Sequence, residues 1–208
     1  MIFSAPSVRG LLSGAKTQTR RLVNLRSLGV DFIGAGGKDG DDWNDPTAWG
    51  YEAEDGEWWT LAADNPLSCA IPPPHGLPGD HLWIREVWAA PHDYDHLKPR
   101  EIPRGTRIHY RATEEPSGLL WRSPLFLLEW AARAERWEIT EVRVQRLQEI
   151  GEEDCVAEGF GSDEALSPDG WRSTPRGWFG GVWEKLNGKR ASWSSDPWVW
   201  AISFRRVA

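Results

Sequence analysis

Acid is missing from the start of this chain. Met1 to Val30 hold no aspartate or glutamate, although the 208 residues carry 31 of them and a net charge of -7. The same stretch holds five lysines and arginines, three of them (Lys16, Arg20 and Arg21) inside GLLSGAKTQTRRLV. A basic segment on an acidic chain marks a site for something negative or electron-rich, because local potential matters more than net charge. The overall acidity argues against a non-specific nucleic-acid coat, which carries an excess of basic residues.

Cysteine is scarce. Cys69 and Cys155 stand far apart without metal-type spacing, so free thiols in a reducing compartment are expected rather than a disulfide framework or a zinc ribbon. No apolar run approaches the roughly 18 residues of a membrane span. No basic segment followed by an apolar stretch opens the chain, so neither a signal peptide nor a membrane partner is expected, and the expected location is cytoplasmic. Phosphate-loop, nucleophile-elbow, repeat and heptad patterns are also missing. His92 and His96 in HDYDH have i, i+4 spacing, but Pro91 makes the region loop-like and a third ligand is lacking. No metal and no cofactor are expected.

What is abundant is tryptophan, at fifteen residues. Each brings a large apolar area and one N–H that needs a partner when buried, so most are expected as core or loop anchors. The length suits one good core, and a single domain spanning 1–208 is expected, with insertions at about 27–75 and 90–125.

Ser4, Pro6 and the shared face of Val8, Leu11 and Leu12 predict a short helix that Gly14 ends. KTQTRRLV then starts an extended segment. From Asp31 to Asp64 ten acids face one lysine. That stretch reads as an acidic insertion or lid without apolar periodicity, pinned by Trp43, Trp49, Trp58 and Trp59. HLWIREVW reads as one strand, with Leu82, Ile84 and Glu86 opposite Trp83, Arg85 and Val87. TRIHYRA is a further strand and LFLLEWAARA is short and helical or turn-like. In RWEITEVRVQRLQEI a strict alternation sets Ile139, Glu141, Arg143 and Gln145 against Thr140, Val142, Val144 and Arg146. GEEDCVAEG and RGWFGGVWEKLNG are helices, and PWVWAISFRRV closes the chain as a strand whose arginines add to the basic surface if the ends meet. This order predicts an α+β fold, a small mixed or antiparallel barrel flanked by helices.

Two features point to chemistry. Lys16, Thr19 and Arg21 differ in parity along an extended segment, so a bulge or turn is needed for Lys16 and Thr19 to share a pocket. The plain alternative is a lysine that answers the dipole at the end of the first helix. Glu158 lies in the last turn of its helix, where the negative dipole end disfavours a carboxylate by about 0.3 kcal/mol or more. Such a residue either tolerates that cost in water or has a cationic partner and does acid–base work, with Lys16 as one candidate partner.

These residues resemble a known pattern. SGAKTQTRR is similar to the Gly-x-Lys-x-x-Thr-x-Arg signature of the ASCH family, a PUA-like β-barrel group, with Gly14, Lys16, Thr19 and Arg21 in place. PGDHLWIRE, LQEIGEEDCVAEGF and WVWAISFRRV resemble that family's second core strand, the helix after its central strand and its last strand. The chain is similar to the longer ASCH-like proteins of bacteriophages and bacteria, over both ends and the middle. The resemblance implies a metal-free amidohydrolase that removes the acyl group from N4-acylated cytosine nucleosides or nucleobases, N4-acetylcytidine being the type substrate. Carried over by position, Lys16, Thr19 and Glu158 are catalytic, with Gly14, Arg20, Arg21, Trp83 and Glu86 at the substrate. Thr19 attacking the acyl carbon with Lys16 as base, and Glu158 activating a water that Thr19 orients, remain open alternatives. A second class of function is a non-catalytic module that holds single-stranded RNA or a modified base by stacking. A third is a ribonuclease. The acidic stretch disfavours long polyanions and favours a small nucleoside partner.

Overall fold

The computed structural model describes residues 1–24, 29–34, 37–64, 67–114, 116–161 and 174–207. Two long strands dominate: β8 (Arg136–Arg146) and β9 (Trp198–Val207), antiparallel along nearly their whole length. β1 (Gln18–Leu22) adds to the other edge of β9, and β5 (His81–Leu82) adds to β8, giving the order β1-β9-β8-β5. The result is a mixed α+β molecule with a curled antiparallel half-barrel sheet and few helices. The chain ends meet through β1 and β9. Arg205 and Arg206 do not enlarge the basic surface, however. Each lies beside a glutamate of the β8 side, Glu138 at 2.9 Å and Glu135 at 3.5 Å.

The strand β9 is buried on both faces, which accounts for its almost unbroken apolar run. Trp198, Trp200, Ile202 and Phe204 face the concave side with Phe3, Val8, Leu11, Leu82, Ile84, Trp137 and Ile139. Val199 faces the convex side with Leu147, Ile150, Cys155, Phe179 and Trp183. Two helices cover that convex side: α2 (Glu152–Ala157) and α3 (Pro175–Asn187). The first helix, α1 (Ala5–Ser13), starts at Ser4, whose hydroxyl accepts from the Ser7 amide, and stops at Gly14 with φ 79°.

The strict alternation expected along β8 fails at one residue. The register slips between Ile139 and Glu141, a β-bulge at Thr140. Trp137 and Ile139 point inward before it, and Val142 and Val144 pack on the same core after it, so the parity of the inward face inverts.

Three expected elements differ in extent. HLWIREVW is one extended run but not one strand. It pairs at His81–Leu82, bridges from Arg85 to Ile2, and pairs again as β6 (Trp88–Ala89) with β7 (His109–Tyr110). Its alternation is kept, with Leu82, Ile84 and Glu86 all buried. TRIHYRA contributes only the two residues of β7, and LFLLEWAARA forms two 3-10 turns around the third cluster of Trp88, Ile102 and Leu127.

The acidic stretch has more structure than its lack of periodicity implies. β2 (Gly50–Glu52), β3 (Trp58–Thr60) and β4 (Ser68–Ala70) form a small sheet. Leu61 and Ile71 are buried in the main core, and Trp49, Tyr51 and Trp59 pack against it. Of the four rings expected to pin the stretch, Trp58 does not, being 46% exposed. Trp43 and Trp49 instead close, with Trp198, around Arg146, whose guanidinium carbon lies 3.7, 4.5 and 4.3 Å from the three ring centroids. Among the described residues no helix is long and apolar enough to cross a membrane.

Candidate active site

The edge of β1 meets the end of α2. The Thr17 amide donates to the Ala157 carbonyl at 2.8 Å, which sets the C-terminus of α2 beside the strand. Lys16 sits at this junction between two glycines. A Cβ on Gly10 would lie 3.2 Å from the Lys16 Cβ, and one on Gly159, where φ is +109°, would lie 3.7 Å from it. The lysine stem therefore threads a gap that larger residues would narrow.

Lys16 Nζ donates to Glu158 Oε2 at 2.5 Å and to the Glu158 carbonyl at 2.8 Å. Both side chains are buried, 6% and 5% exposed. Removing two charges from water costs several kcal/mol per ion, about, and only close pairing with additional hydrogen bonds offsets it. Those extra bonds come from the strand. Arg20 Nη2 lies 2.6 Å from Asp154 Oδ2, its Nη1 donates to Gln18 Oε1 at 2.6 Å, and the same Nη1 is 3.4 Å from Glu158 Oε1. Asp154 Oδ1 also accepts from Gln18 Nε2 and Arg143 Nη2, both at 3.1 Å. The Phe179 ring of α3 lies 5.6 Å from the Arg20 guanidinium carbon.

The electrostatics are mixed by design of the sequence. Burial pushes the Lys16 ammonium below the ordinary lysine value of 10.5, Glu158 pulls it back up, and Arg21 and Arg20 push it down again. Asp154 keeps its carboxyl below the usual range: burial raises it, and Arg20, Gln18 and Arg143 together outweigh burial.

Thr19 is in the same strand but on the other face. Its register partner is Ile202, and Arg21 is opposite Trp200, both concave-side residues, whereas Gln18 and Arg20 are opposite Ser203 and Ala201. Arg21 donates to the Ile2 carbonyl at 2.7 Å and stacks over Phe3 at 5.0 Å. His75 is near it: burial, then the Arg21 charge, lowers its imidazole to about 4, which leaves it neutral at pH 7. Gly14 ends α1 and contributes a turn rather than a contact. Trp83 stacks with Arg85 at 4.9 Å. Glu86 is bound up elsewhere, 2.5 Å from Arg133 in a cluster with Thr113 and Tyr110. The structure therefore joins Lys16, Glu158 and Arg20, places Thr19 and Arg21 on the concave face of the same strand, and pairs Trp83 and Glu86 with other residues.

Sequence reasoning missed Gln18, Asp154, Arg143 and His75. The signal for two of them was available. Gln18 and Arg20 share parity with Lys16, and Asp154 stands four residues before Glu158 on one helix face. A cavity of about 170 Å³ lies on the other side of the Lys16 stem, lined by residues including Leu11, Gly14, Trp137, Phe204 and Arg206. Neither Thr19 nor Glu158 lines it. His92, of the i, i+4 histidine pair, is 2.5 Å from Asp95, and among the described residues no three His, Cys, Asp or Glu converge on a point that would hold a metal. No family model, curated protein or solved structure matches the chain.

Proposed function

We propose that the chain is an ASCH-type, PUA-like amidohydrolase acting on N4-acylated cytosine nucleosides or nucleobases. The observation that carries this reading is the buried Lys16–Glu158 pair at 2.5 Å, which unites the first segment of the chain with the end of α2 beneath two arginines. A dry pair of this kind can hold, release and return a proton.

Glu158 takes a proton from a water molecule, and the water oxygen bonds to the acyl carbon. The carbonyl electrons move onto oxygen, where the Lys16 ammonium and the nearby arginine charge stabilise the anion. Glu158 then passes its proton to N4, the oxyanion electrons re-form the carbonyl as the C–N bond breaks, and the acid product gives its remaining proton to water, so that a carboxylate and the free cytosine amine leave. The placement of Thr19 on the concave face, away from the Lys16 Nζ bonds, favours this water route over attack by the threonine hydroxyl.

One observation favours a second reading, a non-catalytic base-binding module. The cavity beside Lys16 has aromatic walls in Trp137 and Phe204 and a cation in Arg206, a lining suited to a flat ring without chemistry. The experiment is turnover of N4-acetylcytidine by the purified protein, followed by chromatography for cytidine, with Lys16→Ala and Glu158→Gln alongside. Cytidine formed by the wild type and lost in both variants supports the enzyme. Binding of RNA or a modified nucleoside without turnover supports the module and removes the enzyme.

A further inference from the structure

Asp154 and Glu158 are one turn apart at the end of α2 and share Arg20 unequally. Asp154 takes the short contact at 2.6 Å, and Glu158 Oε1 is left with the long one at 3.4 Å. The nitrogen on that long contact is already committed to Gln18 Oε1 at 2.6 Å. Asp154 is fully engaged, its second oxygen taking Gln18 and Arg143. Glu158 is lopsided: among the described residues Oε2 is held by Lys16, while Oε1 has only the stretched contact. A buried carboxylate oxygen without a close donor is where a proton or a water is best received.

We propose that Asp154 is a positioning residue that holds Arg20 away from Glu158 and so keeps Glu158 Oε1 open to accept a proton. This rests on Glu158 being the base of the proposed reaction. The alternative role is purely local, since an acid in the first turn of α2 already answers the helix dipole.

The charged groups around Glu158 define what a change would do. Lys16, Arg20 and Arg21 come from β1 and the turn before it. Arg143 and Glu141 come from β8, Arg143 reaching Asp154 at 3.1 Å and Glu141 at 3.4 Å. Arg176 comes from α3 and acts on the neighbouring Cys155. Neutralising Asp154 removes the short partner of Arg20, and the nearest remaining carboxylate oxygen is Glu158 Oε1. Arg20 then closes on it. A short charge-assisted bond favours the ionised carboxylate and makes it a poorer base. Loss of the Asp154 charge also acts on Glu158 directly, in the same direction, so the single variant cannot separate the two effects.

A double-mutant cycle separates them. The Glu158 carboxyl carbon is titrated by NMR in the full-length protein as wild type, Asp154→Asn, Arg20→Gln and the double variant, with Asp154→Ser run in the same cycle should the asparagine variant not fold. Asp154→Asn is expected to lower the Glu158 midpoint by about one pH unit when Arg20 is present and by much less when Arg20 is glutamine. An equal fall in both backgrounds, or none in either, overturns the positioning role. N4-acetylcytidine turnover is measured on the same samples. In Asp154→Asn the acid limb of the rate profile is expected to move with the Glu158 midpoint, with kcat lowered and KM kept. A cycle that behaves as expected in a protein without turnover leaves Asp154 as the residue that tunes Glu158 and removes the amidohydrolase reading alone.

Discussion

Arg20 and Arg146 are both buried, 4% and 3% exposed, and the chain neutralises them in opposite ways. Arg20 is surrounded by carboxylates, Asp154 and Glu158, with Gln18 between them. Arg146 lies within ion-pair distance of no carboxylate among the described residues. Its three nitrogens reach the carbonyls of Trp43 and Asp196, and three tryptophan rings close over its faces. Carbonyls and rings do not titrate near neutrality, and only the more distant Asp196 and Glu149 carboxylates act on Arg146 among the described residues, so its site works mainly as a staple between the acidic stretch and the half-barrel sheet. Carboxylates do titrate, so the Arg20 site is the one that can exchange a proton in the proposed reaction. A desolvated cation becomes chemistry or architecture according to its partners.

The largest expected difference between the two regions is in activity. Glu158→Gln should reduce N4-acetylcytidine turnover by about a hundredfold or more, whereas Arg146→Lys should leave kcat within a few-fold in the fraction that is folded. Equal losses in the two variants would dissolve the contrast.

Stability should rank the other way. Arg146→Ala removes charge-assisted bonds and stacking in a dry site, and a loss of about 3 kcal/mol or more is expected in urea unfolding. The lysine variant should recover only part of it, because an ammonium cannot fill the space between flat rings.

Comparing pH 7 with pH 4 sharpens the comparison further. Asp154 is held below the usual carboxylate value of 3.8, so its contribution is present above that value and is lost as pH falls through the lower, folded-state value. Arg20→Met takes away the main cation that lowers Asp154 and lets burial raise its carboxyl, so the variant should be most destabilised at pH 7 and closer to wild type at pH 4. For Arg146→Ala, which loses only the weaker pull of Asp196 and Glu149, the cost should change less between the two pH values. A pH-independent cost for Arg20→Met would contradict the carboxylate network. The smallest effect is reserved for the surface: Arg205→Ala, which breaks the exposed pair with Glu138, should cost about 0.5 kcal/mol or less.

The two sites were unequally legible in the sequence. Lys16 and Glu158 could be found because each stands out locally, one by its signature and the other by its poor place on a helix dipole. Their meeting could be guessed because the signature and the helix belong to one resemblance. Asp154 was hidden among three consecutive acids that all suit a helix N-terminus, and only the packed sheet shows which of them turns inward. The Arg146 cage was illegible, because Trp43, Trp49, Arg146 and Trp198 come from three distant segments and local patterns carry no information about such a meeting. Alternation in β9 was masked by burial on both faces, and in β8 by one extra residue.

That extra residue, Thr140, has a consequence of its own. It acts on the inside–outside code of β8 as a frameshift acts on a message. Residues before it are written in one phase and residues after it in the other, although Ile139 and Glu141 face consecutive partners, Phe204 and Ser203, on β9. Deleting Thr140 would restore plain alternation, with Ile139, Val142 and Val144 still inward and Glu141 and Arg143 still outward, whereas deleting Arg143 would leave Val142 and Val144 on opposite faces. The strand is therefore more tolerant of the loss of Thr140 than of the loss of Arg143, an asymmetry that a deletion scan through residues 138–144 would show in folded yield.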